Sequence, residues 1–348
     1  MADFINISML RKAFGLMLVG STLFSQTYNP KALAQAQLGV SQAQKTHYRE
    51  AIEAYQRAIA IDPNLPGIYL DLGLGYFKLG KFHEAIAAFE KEKAKASSDQ
   101  LTTLLAMSYF GLGEYRTAAE RLKPIAAAQP GNSELSYLLA KCYLWSGQYN
   151  EAISLYRQLL ERDPNSAAAH MLLGEALDAN YRTAEAIAEF KAATDANPAP
   201  PDAHFGLGYL YWKQKKYDGA EQQFREELKG NPQNAQAMAY LGDVMMKNGR
   251  REEAISLLKN AAQLRPDLHL PHVDLAILFA EDKHNEQAVA EFRQAIKADP
   301  SGFDAHYRLA RLYSEMGRKA DAEAEFAVVR KLHQKKTEEP LMKISGPR

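Results

Sequence analysis

Residues 133–166 read SELSYLLAKCYLWSGQYNEAISLYRQLLERDPNS. Tyr137, Leu138, Leu139, Tyr143 and Leu144 recur at three- and four-residue spacing. Ala152, Ile153, Leu155, Tyr156, Leu159 and Leu160 do the same further on. Both runs carry the apolar period of an amphipathic helix. Gly147 stands between them, where the chain must turn, and Asp163-Pro164-Asn165 closes the second run, because proline cannot continue a helix. The stretch predicts a helical hairpin.

Its punctuation recurs along the chain. Pro130, Pro164, Pro198, Pro232, Pro266 and Pro300 are each 34 residues apart, and Pro63 joins the series if the repeat after it is one residue short. This register cuts the chain into nine repeats: 32–65, 66–98, 99–132, 133–166, 167–200, 201–234, 235–268, 269–302 and 303–336. The seventh position is leucine in every repeat, from Leu38 and Leu72 to Leu309. The eighth is always Gly or Ala, the twentieth always Ala, and the twenty-fourth always large and apolar, as in Tyr55, Phe89, Tyr156 and Phe224. Small residues at positions 8 and 20 let two helix backbones approach, and the large one fills the joint. A single hairpin cannot bury both its faces, so neighbouring hairpins stack around a continuous core. The expected fold class is all-α, a solenoid of stacked antiparallel helix pairs.

This pattern resembles the tetratricopeptide repeat, whose signature is a bulky residue at 4, Leu at 7, Gly or Ala at 8, Tyr at 11, Ala at 20, Phe or Tyr at 24, Ala at 27 and Pro at 32. Tyr69, Leu72, Gly73, Tyr76, Ala85 and Phe89 carry it in the second repeat, and His204, Leu207, Gly208, Tyr211, Ala220, Phe224 and Pro232 in the sixth. The resemblance implies a right-handed superhelix whose inner groove, lined by the first helix of each repeat, binds peptide segments of other proteins. It also implies that positions 2, 5, 9, 12 and 13 face that groove. Those positions place Tyr137, Lys141, Trp145, Met171, Phe205, Tyr209, Trp212 and Lys213 on the expected binding surface, including both tryptophans of the chain. Aromatic side chains and methionine are the types enriched at protein interfaces. The Lys/Asn clamp with which some family members hold a C-terminal carboxylate is missing, since no repeat has Lys at position 5 or Asn at positions 6 and 9.

Composition sets the outer bounds. Of 348 residues, 47% are hydrophobic and 24% charged, the balance of a globular protein. Lys plus Arg equals Asp plus Glu at 42 each, so no basic surplus points to nucleic acid, and the expected partners are proteins or peptides with no nucleic acid and no small-molecule substrate. The lone Cys142 excludes an intramolecular disulfide and falls at a first-helix core position.

No catalytic constellation falls outside the repeat grammar, and no cofactor or metal is expected. Residues 75–82 (GYFKLGKF) imitate a phosphate-binding loop, but Phe82 replaces the required hydroxyl and no strand precedes it. His170, His204, His272 and His306 share position 4 of their repeats. Equivalent residues of stacked helices lie about 10 Å apart, too far to share an ion held at about 2 Å, so these histidines read as substitutes for the bulky half-buried residue.

The ends differ from the array. Arg11-Lys12, the apolar residues 13–24 (AFGLMLVGSTLF) and the small-residue site Ala32-Leu33-Ala34 follow the order of a secretory signal peptide. The expectation is export, to the periplasm or the exterior, with residues 1–34 cleaved near Ala34, the first helix trimmed into an N-terminal cap, and no membrane span left. A cytoplasmic adaptor that keeps its N-terminus, or an accessory module of an enzyme complex, are the alternatives. Pro124 should kink or shorten the second helix of the third repeat, and residues 337–348 read as a loose tail.

Overall fold

The computed structural model describes residues 28–93, 98–196 and 198–345. Among them are eighteen α-helices and no strand. They fall into two compact units, one ending at Pro164 and one starting at Asn165. The N-terminal unit holds α1 (Pro30–Gln44), α2 (Tyr48–Ile61), α3 (Ile68–Lys78), α4 (Phe82–Lys93), α5 (Asp99–Gly111), α6 (Tyr115–Ala128), α7 (Ser133–Trp145) and α8 (Tyr149–Arg162). The C-terminal unit holds α9 (Ala167–Ala179), α10 (Thr183–Thr194), α11 (Ala203–Lys213), α12 (Tyr217–Gly230), α13 (Ala235–Lys247), α14 (Arg251–Leu264), α15 (His269–Glu281), α16 (Asn285–Ala298), α17 (Phe303–Glu315) and α18 (Lys319–Ser345). Within each unit every helix packs on the next, and α9, α11, α13 and α15, the first helices of successive repeats, also touch in series.

The joints are built as the sequence predicts. A Cβ at Gly174 would lie 2.7 Å from the ring of Phe190, and one at Gly208 would lie 2.8 Å from that of Phe224. Gly242 meets Leu258 at 2.7 Å in the same way. Phe89 and Phe224 are wholly buried, as is Tyr156.

Position 15, at the turn between paired helices, is left-handed in all nine repeats. Gly80, Gly113, Gly147, Gly249 and Gly317 occupy it in five, but Thr46, Tyr181, Lys215 and Lys283 adopt φ of 59° to 64° in the others. A left-handed residue with a Cβ costs about 1 kcal/mol, so stacking of the flanking helices sets this turn.

Two repeats depart at their entry. α3 and α11 are preceded by left-handed Gly67 (φ 72°) and Asp202 (φ 64°), neither of which caps the helix with its side chain. Glu92 and Glu227, at position 27 where the pattern expects Ala, replace that cap. Their carboxylates accept the backbone N–H of Gly67 and of Phe205, each at 3.2 Å.

Pro124 is carried inside α6, which continues to Ala128 and is not cut short. α18 runs helically to Ser345, through most of the segment read as a tail. Leu38, at the core position 7, is 42% exposed because no helix pair precedes α1 among the described residues to cover it.

The apolar run 13–24 lies outside the described residues. The expected cleavage site does not. α1 begins at Pro30, Asn29 caps it by accepting the Lys31 N–H at 3.0 Å, and Ala32 is fully buried. A chain starting at Gln35 loses the cap and the first turn. It is expected to unfold with the N-terminal unit destabilised by about 1 kcal/mol or more relative to the full chain, which urea titration followed by circular dichroism measures. Equal stability would show that the first turn contributes nothing.

Candidate functional site

All the predicted surface residues except Met171 gather into one cluster in each unit. In the N-terminal unit, Lys141 on α7 is buried, with its ammonium 4.9 Å from the ring of Trp145, 5.4 Å from Phe110 and 5.9 Å from Tyr137. Trp145 is 43% exposed and packs 5.0 Å from Phe110 and 5.3 Å from Tyr115. Lys141 is therefore the resident cation of an aromatic box, with one indole reaching solvent. Phe110 stands at position 12 of its repeat, one of those expected to face the groove, whereas Tyr115, which opens α6, lies outside those positions.

The C-terminal cluster is larger. Phe205, Tyr209 and Trp212 follow one another along α11, with Phe205 stacked 6.4 Å from Tyr209 and Tyr209 stacked 5.9 Å from Trp212. Tyr240, on α13, closes the group edge-on, 5.8 Å from Phe205, 5.4 Å from Tyr209 and 4.9 Å from Trp212. All four rings are half-buried. Spacing of three and four residues puts the α11 rings on one helix face, and Phe224 supports it from behind, 5.9 Å from both Phe205 and Tyr240. Lys213 lies beside Tyr209 (5.5 Å) and reaches back to Asp178 on α9 at 2.8 Å. Met171 is half-buried on α9, outside these ring contacts.

The sequence reading missed Tyr240 and Asp274, because position 6 was not among those assigned to the groove; Asp243 stands at position 9, which was assigned to it, without being singled out. The Trp212 indole N–H donates to Asp243 at 2.6 Å. Asp243 is 3% exposed, and its other oxygen stands 3.5 Å from the Lys247 ammonium. On α15, Asp274 is 4% exposed and one of its carboxylate oxygens has no hydrogen-bond partner. Burial, and then the charge of Asp243, push its carboxyl up to about 8. Burial, and then Tyr209 and Asp243, raise the Tyr240 hydroxyl to about 12.

The position-4 histidines pair within their own repeats. Nδ1 of His170, His272 and His306 lies 2.6–2.7 Å from Glu189, Glu291 and Glu325, and that of His204 lies 2.8 Å from Gln223. Each is a staple between the two helices of a hairpin. Among the described residues no three His, Cys, Asp or Glu side chains are grouped to hold a metal ion. Cys142 is fully buried, and burial pushes its thiol up to about 12, which keeps it unreactive. A cavity of about 380 Å³ opens among α6, α7 and α8, lined in part by Lys123, Tyr143, Glu151 and Arg162, and contains none of the predicted surface residues.

Tetratricopeptide repeat models match residues 109–176 and 278–340, and 177–235 and 205–269, and a further TPR repeat model matches 43–80. The chain belongs to the tetratricopeptide repeat family. No curated protein sequence matches it. Similar solved structures include the Cut9–Hcn1 hetero-tetramer of the APC/C (12% identity, TM-score 0.57, covering 94% of this chain and 78% of that one). Another is the human IFIT1 dimer with m7Gppp-AAAA (15% identity, TM-score 0.53, covering 88% and 78%). At such identities the likeness is one of TPR fold.

Two expectations are corrected, one by these comparisons and one by the structure of α1. A TPR solenoid of this kind holds a capped oligonucleotide in the IFIT1 structure, so a neutral overall charge does not exclude nucleic acid from the partners of such a fold. Export is withdrawn as well. Cleavage near Ala34 would fall inside α1 and remove its Asn29 cap and first turn, which speaks for the alternative with a retained N-terminus. No helix among the described residues is long and apolar enough to cross a membrane.

Proposed function

We propose that the chain is a non-catalytic TPR adaptor of the cytoplasm that binds a peptide segment of another protein on the first helices of its repeats. The observation that carries this reading is the aromatic wall of Phe205, Tyr209, Trp212 and Tyr240. These four half-buried rings lie on two adjacent first helices and present large, rigid faces at low entropic cost. Trp212 is not the residue that closes the joint of the sixth repeat, which is filled by Phe224 against Gly208. The Trp145 cluster of the N-terminal unit supplies a second contact surface of the same chemistry.

The test is capture of partners from native extract by the full chain beside the Tyr209→Ala/Trp212→Ala variant. A central aromatic pair of this kind contributes about 2 kcal/mol or more to binding, roughly thirtyfold in Kd. The variant is expected to lose proteins that the wild type retains, with its far-UV helical signal unchanged. Identical captured sets would remove the wall from the binding surface. Retention of RNA and no protein would replace the adaptor reading with a nucleic-acid one.

A further inference from the structure

Trp212 is tied to an acid, and that acid has a buried neighbour with no ion pair of its own among the described residues. Asp243 and Asp274 lie on α13 and α15, which pack directly on each other, while Trp212 and Tyr240 border them from α11 and α13. Asp243 has two partners, the Trp212 indole and, at 3.5 Å and only four residues along the same helix, Lys247. The Lys247 side chain is 45% exposed, so the pair is weak and the lysine free to swing away. Asp274 has no ion pair among the described residues. The charged groups that act on it are Asp243 and Lys247 from α13 and Asp304 and Arg308 from α17, and Arg308 is itself held by Asp304 at 2.7 Å. A buried carboxylate oxygen left without a donor is costly and uncommon. Here it acts on Asp243, the acid that holds Trp212 of the ring cluster already argued to receive a partner.

We propose that the C-terminal unit selects a peptide bearing an arginine, whose guanidinium stacks against the Trp212–Tyr240 rings and donates to the Asp243–Asp274 pair beside them. This rests on the adaptor reading and names the side chain that its site recognises. A planar guanidinium suits the place better than an ammonium. It stacks on an aromatic face while its edge donates to carboxylates, and it sheds water more readily on entering a buried site. Entry displaces Lys247 from Asp243 and gives the free oxygen of Asp274 its donor. In the unliganded protein Asp274 holds a proton at neutral pH, and that proton leaves to solvent when the cation arrives. Affinity for the arginine peptide therefore rises with pH between about 6 and 8 and levels off above.

The test uses the full chain and two pools of twelve-residue peptides. Both have randomised flanks free of Lys, Arg and His, and one carries a central arginine where the other carries citrulline, its neutral isostere. The arginine pool is expected to be retained about tenfold better than the citrulline pool, the size of one charge-assisted contact. That preference should grow from pH 6 to 8, and calorimetry of the tightest peptide in two buffers should show proton release. In Asp274→Asn, which keeps the side-chain shape, the preference should fall below about twofold with citrulline binding unchanged. Asp243→Asn, which still offers Trp212 an acceptor, should do the same. Equal retention of the two pools, or a preference that survives both substitutions, overturns the arginine site and leaves the adaptor reading in place. Retention of neither pool, with capture of a capped oligonucleotide instead, overturns both.

Discussion

Phe224→Ala is expected to destabilise the C-terminal unit by about 3–5 kcal/mol, the range for truncating a fully buried phenylalanine. The ring is 0% exposed and fills the notch that Gly208 leaves in α11. It also backs the aromatic wall, within 5.9 Å of both Phe205 and Tyr240. Removing it opens a cavity at the joint and withdraws the support of two candidate binding rings, so binding should weaken along with stability. Gly208→Val tests the same joint from the other side. It adds atoms where a Cβ alone would already stand 2.8 Å from the ring, and overpacking of this kind costs about 1–3 kcal/mol. Phe303→Ala is the control, since that ring is 46% exposed and should change stability by no more than about 0.5 kcal/mol. Urea unfolding monitored by circular dichroism ranks the three. A loss under about 1 kcal/mol for Phe224→Ala would mean that the joint is not where the repeat is held together.

The second large effect is a pH dependence set by buried acids. Asp71 on α3 is 9% exposed, and burial, followed by the charge of Glu92, pushes its carboxyl from 3.8 up to about 7. In the folded chain it therefore keeps a proton that the unfolded chain has released. The stability linked to that proton is fully present below about pH 4 and is lost as pH rises toward 7, by up to about 1.4 kcal/mol per pH unit. Asparagine cannot ionise. The stability of Asp71→Asn relative to wild type should thus climb between pH 4 and pH 7 and stay level above, with a plateau of about 2–4 kcal/mol. Asp274→Asn should behave alike in the C-terminal unit, with its rise extended to about pH 8. Denaturant midpoints at unit steps of pH decide the matter, and parallel curves for variant and wild type would show that neither acid is shifted.

The parts of the structure legible in the sequence are those whose cause is local and repeated. Gly208 opposite Phe224 could be read from positions 8 and 24 because the same steric demand recurs in each hairpin. The histidine staples were legible too, though unread: His170, His204, His272 and His306 are each followed nineteen residues later by Glu or Gln. The glutamates at position 27 were not, because their role depends on the left-handed entries at Gly67 and Asp202. Most of the candidate site was found by aromatic type and position. Tyr240, Asp243 and Asp274 were not found as a group, because what joins them to Trp212 is the packing of α11, α13 and α15 on one another. The exported reading rested on a sequence pattern at the N-terminus and treated the first helix as one that could be trimmed, whereas its Asn29 cap and its buried Ala32 lie on the side that cleavage would remove.

The uniform turn at position 15 has a consequence for how such a chain changes over generations. Threonine, tyrosine, lysine and glycine all take the same left-handed geometry there, so the connector is shaped by the helices on either side and hardly by the residue in it. Each hairpin offers its neighbour the same fitting. A hairpin inserted, lost or copied inside either unit therefore meets a joint that already matches, and the array can lengthen or shorten in whole hairpins while the residues that choose a partner drift on their own.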